Sequence, residues 1–408
     1  MIIFADMNAV LFCLMAAAMG PQDVAAQRAE VWAEWKAENV REQLPPMDSI
    51  GVRGYAWVLP DSLEPQAVMP YYFGTKGEAE EYPLFIYLHG SGPKTMEWAT
   101  GLRLAWMWQD APSAYFVPQI PNEGQWYRWY QRSKQWAWER LLKRALLNDS
   151  IDPERIYLLG ISEGGYGSQR LASFYADYLA AAGPMAGGEP MRNAPAENCS
   201  NIGFSLRTGD KDTGFYRNLL SARVGERYDS LQQAHPDLFR HKVELIPDRG
   251  HHIDYSPTTP WLSQFRRNAS PRHFLWEDFE MDGRRRQGFY NIEVLERSDA
   301  YRQQYEVRVH GDTVDVTVQD VEYSPAELDP NWGIELRVNR AYKPSEKGEF
   351  ILYLGPEHVD LDKPVIVMLN GREVYRGKLK LDKENMRRSA RLFSDPLRIY
   401  PAALKLKI

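Results

Sequence analysis

A serine stands at the centre of a Gly-x-Ser-x-Gly pattern formed by Gly160, Ser162 and Gly164. The preceding residues, 156–159, are an apolar run typical of a buried parallel strand, and residues 168–180 fit a helix. A serine at the apex of such a strand–turn–helix is exposed as a nucleophile, because the two glycines let strand and helix approach closely. The pattern therefore predicts that Ser162 is a catalytic nucleophile.

A serine hydroxyl needs a histidine base and an acid that orients the base. Where the nucleophile lies in a Gly-x-Ser-x-Gly turn, the acid and then the histidine follow it along the chain. Of eight histidines, His251 and His252 come directly after the last strand of the predicted sheet, where catalytic groups gather. We expect His251 to be the base, because it follows Gly250, and His252 is the second candidate.

Two carboxylates, Asp210 and Asp212, follow the preceding predicted strand at 202–207. Either could be the catalytic acid, and the other would then be a solvated turn residue. The developing oxyanion also needs backbone N–H donors. We assign these donors to Ser91, in the turn after the strand at 83–88, and to Glu163, which follows the nucleophile.

Strands and helices alternate through the segment that carries these residues. The predicted strands are 52–59, 69–74, 83–88, 114–117, 156–159, 181–185, 202–207 and 242–246, and the predicted helices are 133–148, 168–180 and 215–233. Such alternation predicts an α/β domain, with a mostly parallel sheet covered by helices on both faces. We place the catalytic domain at 27–268, with a short amphipathic helix at 28–44 packed on it.

The sequence pattern changes after residue 290, where strands no longer alternate with helices. Short β-type runs occur at 304–309, 313–318, 334–338, 350–354 and 365–369, and Asn370-Gly371 is a strong hairpin signal. No stretch of helical period is comparably strong. We predict a C-terminal all-β sandwich at 291–408, joined by a linker at 269–290. We expect it to buttress the catalytic domain, since the sequence reveals no aromatic platform for a glycan.

The N-terminus and the charge pattern bear on location and partners. An apolar stretch at 9–19 and small residues before Gln27 fit a signal peptide over 1–26, which predicts export to the periplasm or the cell exterior. The stretch is too short to span a membrane. Basic residues are scattered in a chain of net charge −6, so we expect no nucleic-acid partner. Nothing in the pattern indicates an oligomeric state.

Residues 50–268 resemble the α/β-hydrolase superfamily, and within it secreted carbohydrate esterases, feruloyl esterases and polyhydroxybutyrate-depolymerase-like enzymes. The resemblance is carried by residues 88–92, 151–157 and 160–166 and by the Asp and His loops. Many relatives have Met where this chain has Glu163. Gly-x-x-Asp after the strand at 202–207 is similar to the hydrolase pattern, which favours Asp212 over Asp210. The resemblance implies a serine esterase that needs no metal or organic cofactor.

The connections suggest an open site. Residues 186–201 are too few for a separate lid domain, which favours a bulky or polysaccharide-linked ester over a buried lipid chain. We expect Trp126 and Trp129, in the loop after the fourth strand, to contact substrate, although helix packing would equally explain them. The alternative functions are a serine peptidase of the same fold and a non-catalytic glycan-binding protein on a hydrolase scaffold.

Overall fold

The computed structural model describes residues 19–298 and 302–408. Its first part is an eight-stranded sheet with helices between the strands. The elements of this part are α1 (Val24–Glu38), β1 (Gly54–Val58), β2 (Val68–Lys76), β3 (Tyr82–Leu88), α2 (Lys94–Met107), β4 (Ser113–Pro118), α3 (Arg132–Leu146), β5 (Ile151–Ile161), α4 (Glu163–Tyr175), β6 (Ala181–Met185), β7 (Gly203–Gly209), α5 (Arg217–Ala234), β8 (His241–Ile246) and α6 (Thr258–Leu262).

This sheet has the order β1-β2-β4-β3-β5-β6-β7-β8. β2 is antiparallel to both of its neighbours, and the other six strands, β3 to β8, are parallel to one another. Successive residues of β3 enter different apolar clusters, with Leu84 and Ile86 in one and Phe85 and Tyr87 in the other. Because successive side chains of a strand point to opposite faces, both faces of the sheet are buried. The predicted α/β class is confirmed.

The second part consists of two further sheets and one helix. Its elements are β9 (His273–Asp278), β10 (Gly288–Phe289), β11 (Ile292–Glu296), β12 (Arg302–His310), β13 (Thr313–Leu328), β14 (Glu335–Pro344), β15 (Glu349–Leu354), β16 (Pro364–Leu369), β17 (Arg372–Lys378), α7 (Lys383–Phe393) and β18 (Ala402–Lys407). One sheet has the order β10-β11-β15-β18, and the other has the order β17-β16-β13-β12-β9.

The strand β13 is long enough to pair with three other strands. Its first half pairs with β12 and β16, and its second half pairs with β14 as far as Leu328 and Glu335. The predicted hairpin turn at Asn370 and Gly371 joins β16 to β17, and both residues have the positive φ that such a turn needs.

The two parts share one core and a buried network of charges. A single apolar cluster includes Trp138 beside the eight-stranded sheet and Trp276 and Phe350 from the second part. At the junction, Arg286 donates to both carboxylate oxygens of Asp177 at 3.0 Å. Arg398, which is fully buried, pairs with Asp177 and Asp395, and Arg267 pairs with Asp395. Buried charges are tolerated only when they are paired, so these contacts fix how the two parts meet.

Three expectations about the elements need correction. The predicted linker at 269–290 contains β9 and β10, because Phe274, Leu275 and Trp276 are buried in the shared core. The expectation of no C-terminal helix was wrong, since α7 begins after Asp382, whose carboxylate accepts from the backbone N–H of Glu384. The N-terminal helix begins four residues earlier than expected and packs on α7.

The predicted signal peptide lies mostly on residues 1–18, outside the described residues. Its last part, 24–26, forms the first turn of α1, where Val24 is buried. Among the described residues, no helix combines the length and the apolar character that a bilayer crossing requires.

Candidate active site

Ser162 occupies the turn between β5 and α4. Its φ is 58° and its ψ is −114°, a backbone conformation that non-glycine residues rarely adopt. The turn is held by two hydrogen bonds, from the Ser162 N–H to the Met185 carbonyl at 2.9 Å and from the Tyr166 N–H to the Ser162 carbonyl at 3.0 Å. The turn therefore presents the hydroxyl at the carboxyl end of a central strand.

The two flanking glycines are required by close approach. A Cβ on Gly164 would lie 1.9 Å from the Leu88 carbonyl oxygen, and one on Gly160 would lie 2.2 Å from the Gly164 carbonyl oxygen. Both atoms belong to backbone, which cannot move aside without displacing β3 or α4. The Gly-x-Ser-x-Gly spacing is thus a packing requirement at this turn.

Ser162, His251 and Asp212 form an unbroken chain of hydrogen bonds. The Ser162 hydroxyl lies 2.9 Å from Nε2 of His251, and Nδ1 of His251 lies 2.8 Å from Oδ2 of Asp212. A neutral imidazole carries one proton, so Nδ1–H donates to the carboxylate and Nε2 accepts from the serine. The side chain of Asp212 is 2% exposed, whereas that of His251 is one-third exposed.

The alternative residues lie outside this chain. Asp210 accepts a hydrogen bond from the backbone N–H of Arg249 at 3.3 Å, and so supports the loop that carries His251. His252 is exposed, with its ring centroid 5.9 Å from that of His251. The structure thus brings Asp212 and His251 to Ser162, and not Asp210 or His252.

Arg217 keeps the Asp212 carboxylate ionised. Its Nε lies 2.9 Å from each Asp212 oxygen, and its Nη2 lies 2.6 Å from Oδ1. Burial alone would raise the pKa of Asp212, but the hydrogen bonds from Arg217 and His251 outweigh it and hold that pKa below its usual value. Sequence reasoning missed Arg217, since only the turn after Thr213 brings it back to the carboxylate.

The two residues expected to supply oxyanion donors lie beside Ser162. Ser91 and Ser162 line one cleft, and Glu163 is the first residue of α4. Within residues 19–298 and 302–408, the backbone N–H groups of Ser91 and Glu163 have no hydrogen-bond acceptor. Unpaired N–H groups beside a nucleophile can donate to an oxyanion, and the one at the start of α4 is favoured further by the helix dipole.

Buried aromatic side chains hold the loop that carries Ser91. The Tyr127 hydroxyl lies 3.0 Å from both the Gly90 and the Gly92 carbonyl oxygens. The Trp129 indole N–H donates to the His89 carbonyl at 2.9 Å. His89 is itself buried, which lowers its pKa to about 4, so its neutral ring accepts from the Ile120 N–H at 3.0 Å.

The expectation that Trp129 contacts substrate was wrong. Trp129 is fully buried and packs on Gly167 of α4. Its indole N–H already donates to the His89 carbonyl in the core, so it does not face the cleft. Trp126 is half-buried, and Nζ of Lys134 lies 5.7 Å from its ring centroid. Neither tryptophan lines the cleft at Ser162; from the same loop, Arg128 and Tyr130 do.

The cleft beside Ser162 has a volume of about 700 Å³. Its lining is rich in charge, with the arginines 128, 170, 192 and 217 and the glutamates 163, 189 and 335. The hairpin β13–β14 contributes Leu328, Gly333, Ile334 and Glu335. The C-terminal part therefore forms one wall of the cleft.

No protein-family model matches the sequence, and no curated protein does. Solved structures are similar to part of the chain. A thermostable esterase is 19% identical with a TM-score of 0.42, over 53% of this chain and 63% of that one. A ferulic acid esterase from the anaerobic fungus Anaeromyces mucronatus is 12% identical with a TM-score of 0.35, over 54% and 91%. A fluorophosphonate-binding serine hydrolase of Staphylococcus aureus is 12% identical with a TM-score of 0.36, over 53% and 96%.

The chain has an α/β-hydrolase fold. The turn after β5 carries the serine, the turn after β7 carries the aspartate, and the loop after β8 carries the histidine. This is the chain order of that fold, and all three loops lie at the carboxyl edge of its parallel strands.

Glu163 gives the cleft beside Ser162 a buried carboxyl group. It is 7% exposed, and its Oε2 lies 3.2 Å from Nη1 of Arg128. Burial raises its pKa to about 8, with Arg128 opposing that effect. Its buried Oε1 has no hydrogen-bond partner within the described residues.

One cluster of side chains could hold a metal ion. His235, His273 and Glu306 place ligand atoms within 4.8 Å of one another. Glu306 already accepts from His273 and Arg308 at 2.8 Å. None of the three lines the cleft at Ser162.

Proposed function

We propose that this protein is a serine esterase, which hydrolyses carboxylic esters through an acyl-serine intermediate. The observation that carries the proposal is the hydrogen-bond chain from the Ser162 hydroxyl through His251 to Asp212, at 2.9 and 2.8 Å. Two unpaired backbone N–H groups beside the serine support it, since acyl transfer needs both a base and an oxyanion site.

In the acylation step, Ser162 Oγ attacks the ester carbonyl carbon and its proton moves to His251 Nε2. The carbonyl oxygen becomes an oxyanion, which the N–H groups of Ser91 and Glu163 stabilise. Asp212 holds the ring orientation and balances the imidazolium charge. The bond from carbon to the alcohol oxygen then breaks, and His251 returns its proton to the departing alcohol.

In the deacylation step, water attacks the acyl-serine carbonyl while His251 Nε2 takes the proton from that water. The second tetrahedral intermediate collapses, the bond to Ser162 Oγ breaks, and His251 reprotonates the serine. The carboxylic acid leaves and the enzyme returns to its starting state. Every proton in this cycle passes through His251.

The cleft supports a bulky, polar ester, and we include carbohydrate-linked esters in the proposal. A lipid chain laid along the arginines and glutamates of the lining would remove them from water without offering hydrogen bonds, which is costly. A ligand with hydroxyl groups would supply those bonds. Export, which the N-terminal sequence predicts, is part of the same proposal.

The direct test compares the wild-type protein with Ser162→Ala on acetyl, feruloyl, short-chain aryl and peptide substrates. We expect ester turnover by the wild type and a loss of about 10⁶-fold in kcat in the variant, with an unchanged circular dichroism spectrum. Turnover of peptides alone would favour a peptidase. Equal ester turnover by both proteins would refute the proposal.

A further inference from the structure

Two exposed aromatic side chains stand together at the rim of the cleft. Phe215 is 53% exposed and Trp332 is 62% exposed, and their ring centroids lie 5.0 Å apart. Phe215 lines the cleft that contains Ser162, and Trp332 directly precedes two other lining residues, Gly333 and Ile334. We call Phe215 and Trp332 the aromatic platform.

The platform is built by two loops that are distant in sequence. Phe215 lies between the catalytic acid and Arg217, whereas Trp332 lies at the tip of the hairpin β13–β14. Single exposed apolar residues are common on proteins, but a cluster of them at a cleft marks a ligand surface. Leu328, 53% exposed, lines the same side of the cleft.

The backbone that presents the platform is strained and is held in place by hydrogen bonds. Phe215 and Tyr216 have φ values of 50° and 59°, in the left-handed region that non-glycine residues disfavour. One carboxylate spans the two loops, since Asp329 accepts from the Tyr216 hydroxyl at 2.6 Å and from the Trp332 N–H at 2.6 Å. Strained residues persist where their surroundings fix them, and they cluster at ligand sites.

The rest of the cleft defines the chemistry of the ligand. Planar polar groups surround the site, and they include the ion pairs of Arg170 with Glu189 at 2.6 Å and of Arg192 with Glu335 at 2.8 Å. The Oε1 atom of buried Glu163 also lacks a partner among the described residues. A sugar ring fits both features, because its C–H face stacks on aromatic rings and its hydroxyl edge pairs with planar polar side chains. A plain aryl group would use only the platform.

We propose that Phe215 and Trp332 form a sugar-binding subsite, which holds the carbohydrate portion of the ester substrate beside Ser162. The proposal rests on the proposed esterase function and adds to it the residues that recognise the sugar and a role for the C-terminal part. The hairpin β13–β14 then completes the active site from outside the α/β-hydrolase domain.

The kinetic test compares acetylated xylo-, cello- and manno-oligosaccharides with 4-nitrophenyl acetate. The measured quantity is kcat/KM for a sugar ester divided by kcat/KM for 4-nitrophenyl acetate. We expect Phe215→Ala and Trp332→Ala each to lower this ratio by about tenfold, mainly by raising KM for the sugar ester. Trp106→Ala is the matched control, because Trp106 is 49% exposed but lies on α2 outside the cleft lining. An unchanged ratio, or a fall in kcat/KM for 4-nitrophenyl acetate alone, would overturn the proposal.

A binding test separates this proposal from the esterase assignment. Titration calorimetry of Ser162→Ala with the same three oligosaccharides, without acetyl groups, measures the subsite when no turnover is possible. We expect at least one to bind, and Trp332→Ala on that background to weaken binding about tenfold or more. Failure of all three to bind would overturn the subsite. Binding without turnover by the wild type would instead refute the esterase function alone.

Discussion

Asp212 and Asp210 provide an internal comparison at the residue scale, and so do His251 and His252. Only Asp212 and His251 belong to the hydrogen-bond chain that ends at Ser162. Asp212→Asn would leave His251 with the wrong tautomer, and we expect kcat to fall about 10⁴-fold. Asp210→Asn and His252→Ala are the controls and should retain kcat within about tenfold. If Asp210→Asn were as damaging as Asp212→Asn in an ester assay, the assigned acid would be wrong.

Glu163 gives a prediction about pH and stability. Its pKa is raised from 4.5 to about 8 by burial, so the folded protein binds this proton more tightly than the unfolded chain does. Its stabilising contribution is complete below about pH 4.5 and is lost as pH rises towards 8. Relative to Glu163→Gln, the wild type should lose on the order of 1 kcal/mol of unfolding free energy per pH unit in that window.

Urea unfolding of both proteins between about pH 4.5 and 8 measures this difference. Glu42→Gln is a control of opposite sign, because the pKa of Glu42 is lowered: burial acts against the lowering, but Arg144 and Arg140 outweigh it. The contribution of Glu42 should be lost only in acid, below its usual pKa, so the control titration extends below pH 4.5. Parallel profiles for the wild type and Glu163→Gln would show that folding does not shift the pKa of Glu163.

Much of the site could be predicted at this scale, because chain order and strand position restrict the residues that can meet. The turn of Ser162, the loops that carry Asp212 and His251, and the positions of Ser91 and Glu163 beside Ser162 all follow from those rules. The position of Trp129 could not be predicted. Its indole N–H needs an acceptor, and the sequence does not say whether that acceptor is the His89 carbonyl or a ligand.

The loop between β3 and α2 depends on a neighbouring loop for its shape. Tyr127→Phe removes the hydroxyl that lies between the Gly90 and Gly92 carbonyls while retaining the ring. We expect kcat to fall about tenfold with KM nearly constant, less than the 10²- to 10³-fold loss on deleting an oxyanion donor. Tyr375→Phe is the control, because the Tyr375 hydroxyl meets the Lys378 carbonyl on a surface strand. A change in KM alone would show that Tyr127 contacts substrate instead.

Elements with a strong apolar pattern were predictable, whereas one highly charged helix was missed. Strand β6 is predicted at its observed bounds because all of its residues are buried between helices. Helix α7 was missed since its sequence, Lys383–Phe393, contains three arginines and a lysine, and only Met386, Ser389, Ala390 and Phe393 are buried. Such a narrow stripe can be read as a solvated charge run.

At the scale of the whole molecule, the two parts are joined by charge as well as by apolar packing. Asp177→Asn would leave Arg286 and Arg398 buried with one charge fewer, and we expect it to cost about 3–5 kcal/mol of unfolding free energy. Glu373→Gln, which breaks an exposed pair with Arg376, should cost far less, because water and salt screen a surface pair. Equal costs in chemical denaturation would show that the buried pairs do not hold the parts together.

The joint between the parts could not be predicted, because arginines and aspartates distant in sequence look like surface charges until they meet. The same holds for the platform of Phe215 and Trp332, whose rings come together only when the hairpin β13–β14 reaches the cleft. The fold class and the chain order of the catalytic loops are local or topological properties. The wall of the cleft is a property of the assembled molecule.

We propose that Ser162 is a nucleophile activated by His251 and Asp212. Its most direct test is labelling with a fluorophosphonate, followed by mass spectrometry of the peptides. We predict a single covalent adduct on Ser162 in the wild type, and no adduct in Ser162→Ala or in heat-denatured protein. An intact wild-type protein that stays unlabelled, or that is labelled at another residue, would contradict the claim.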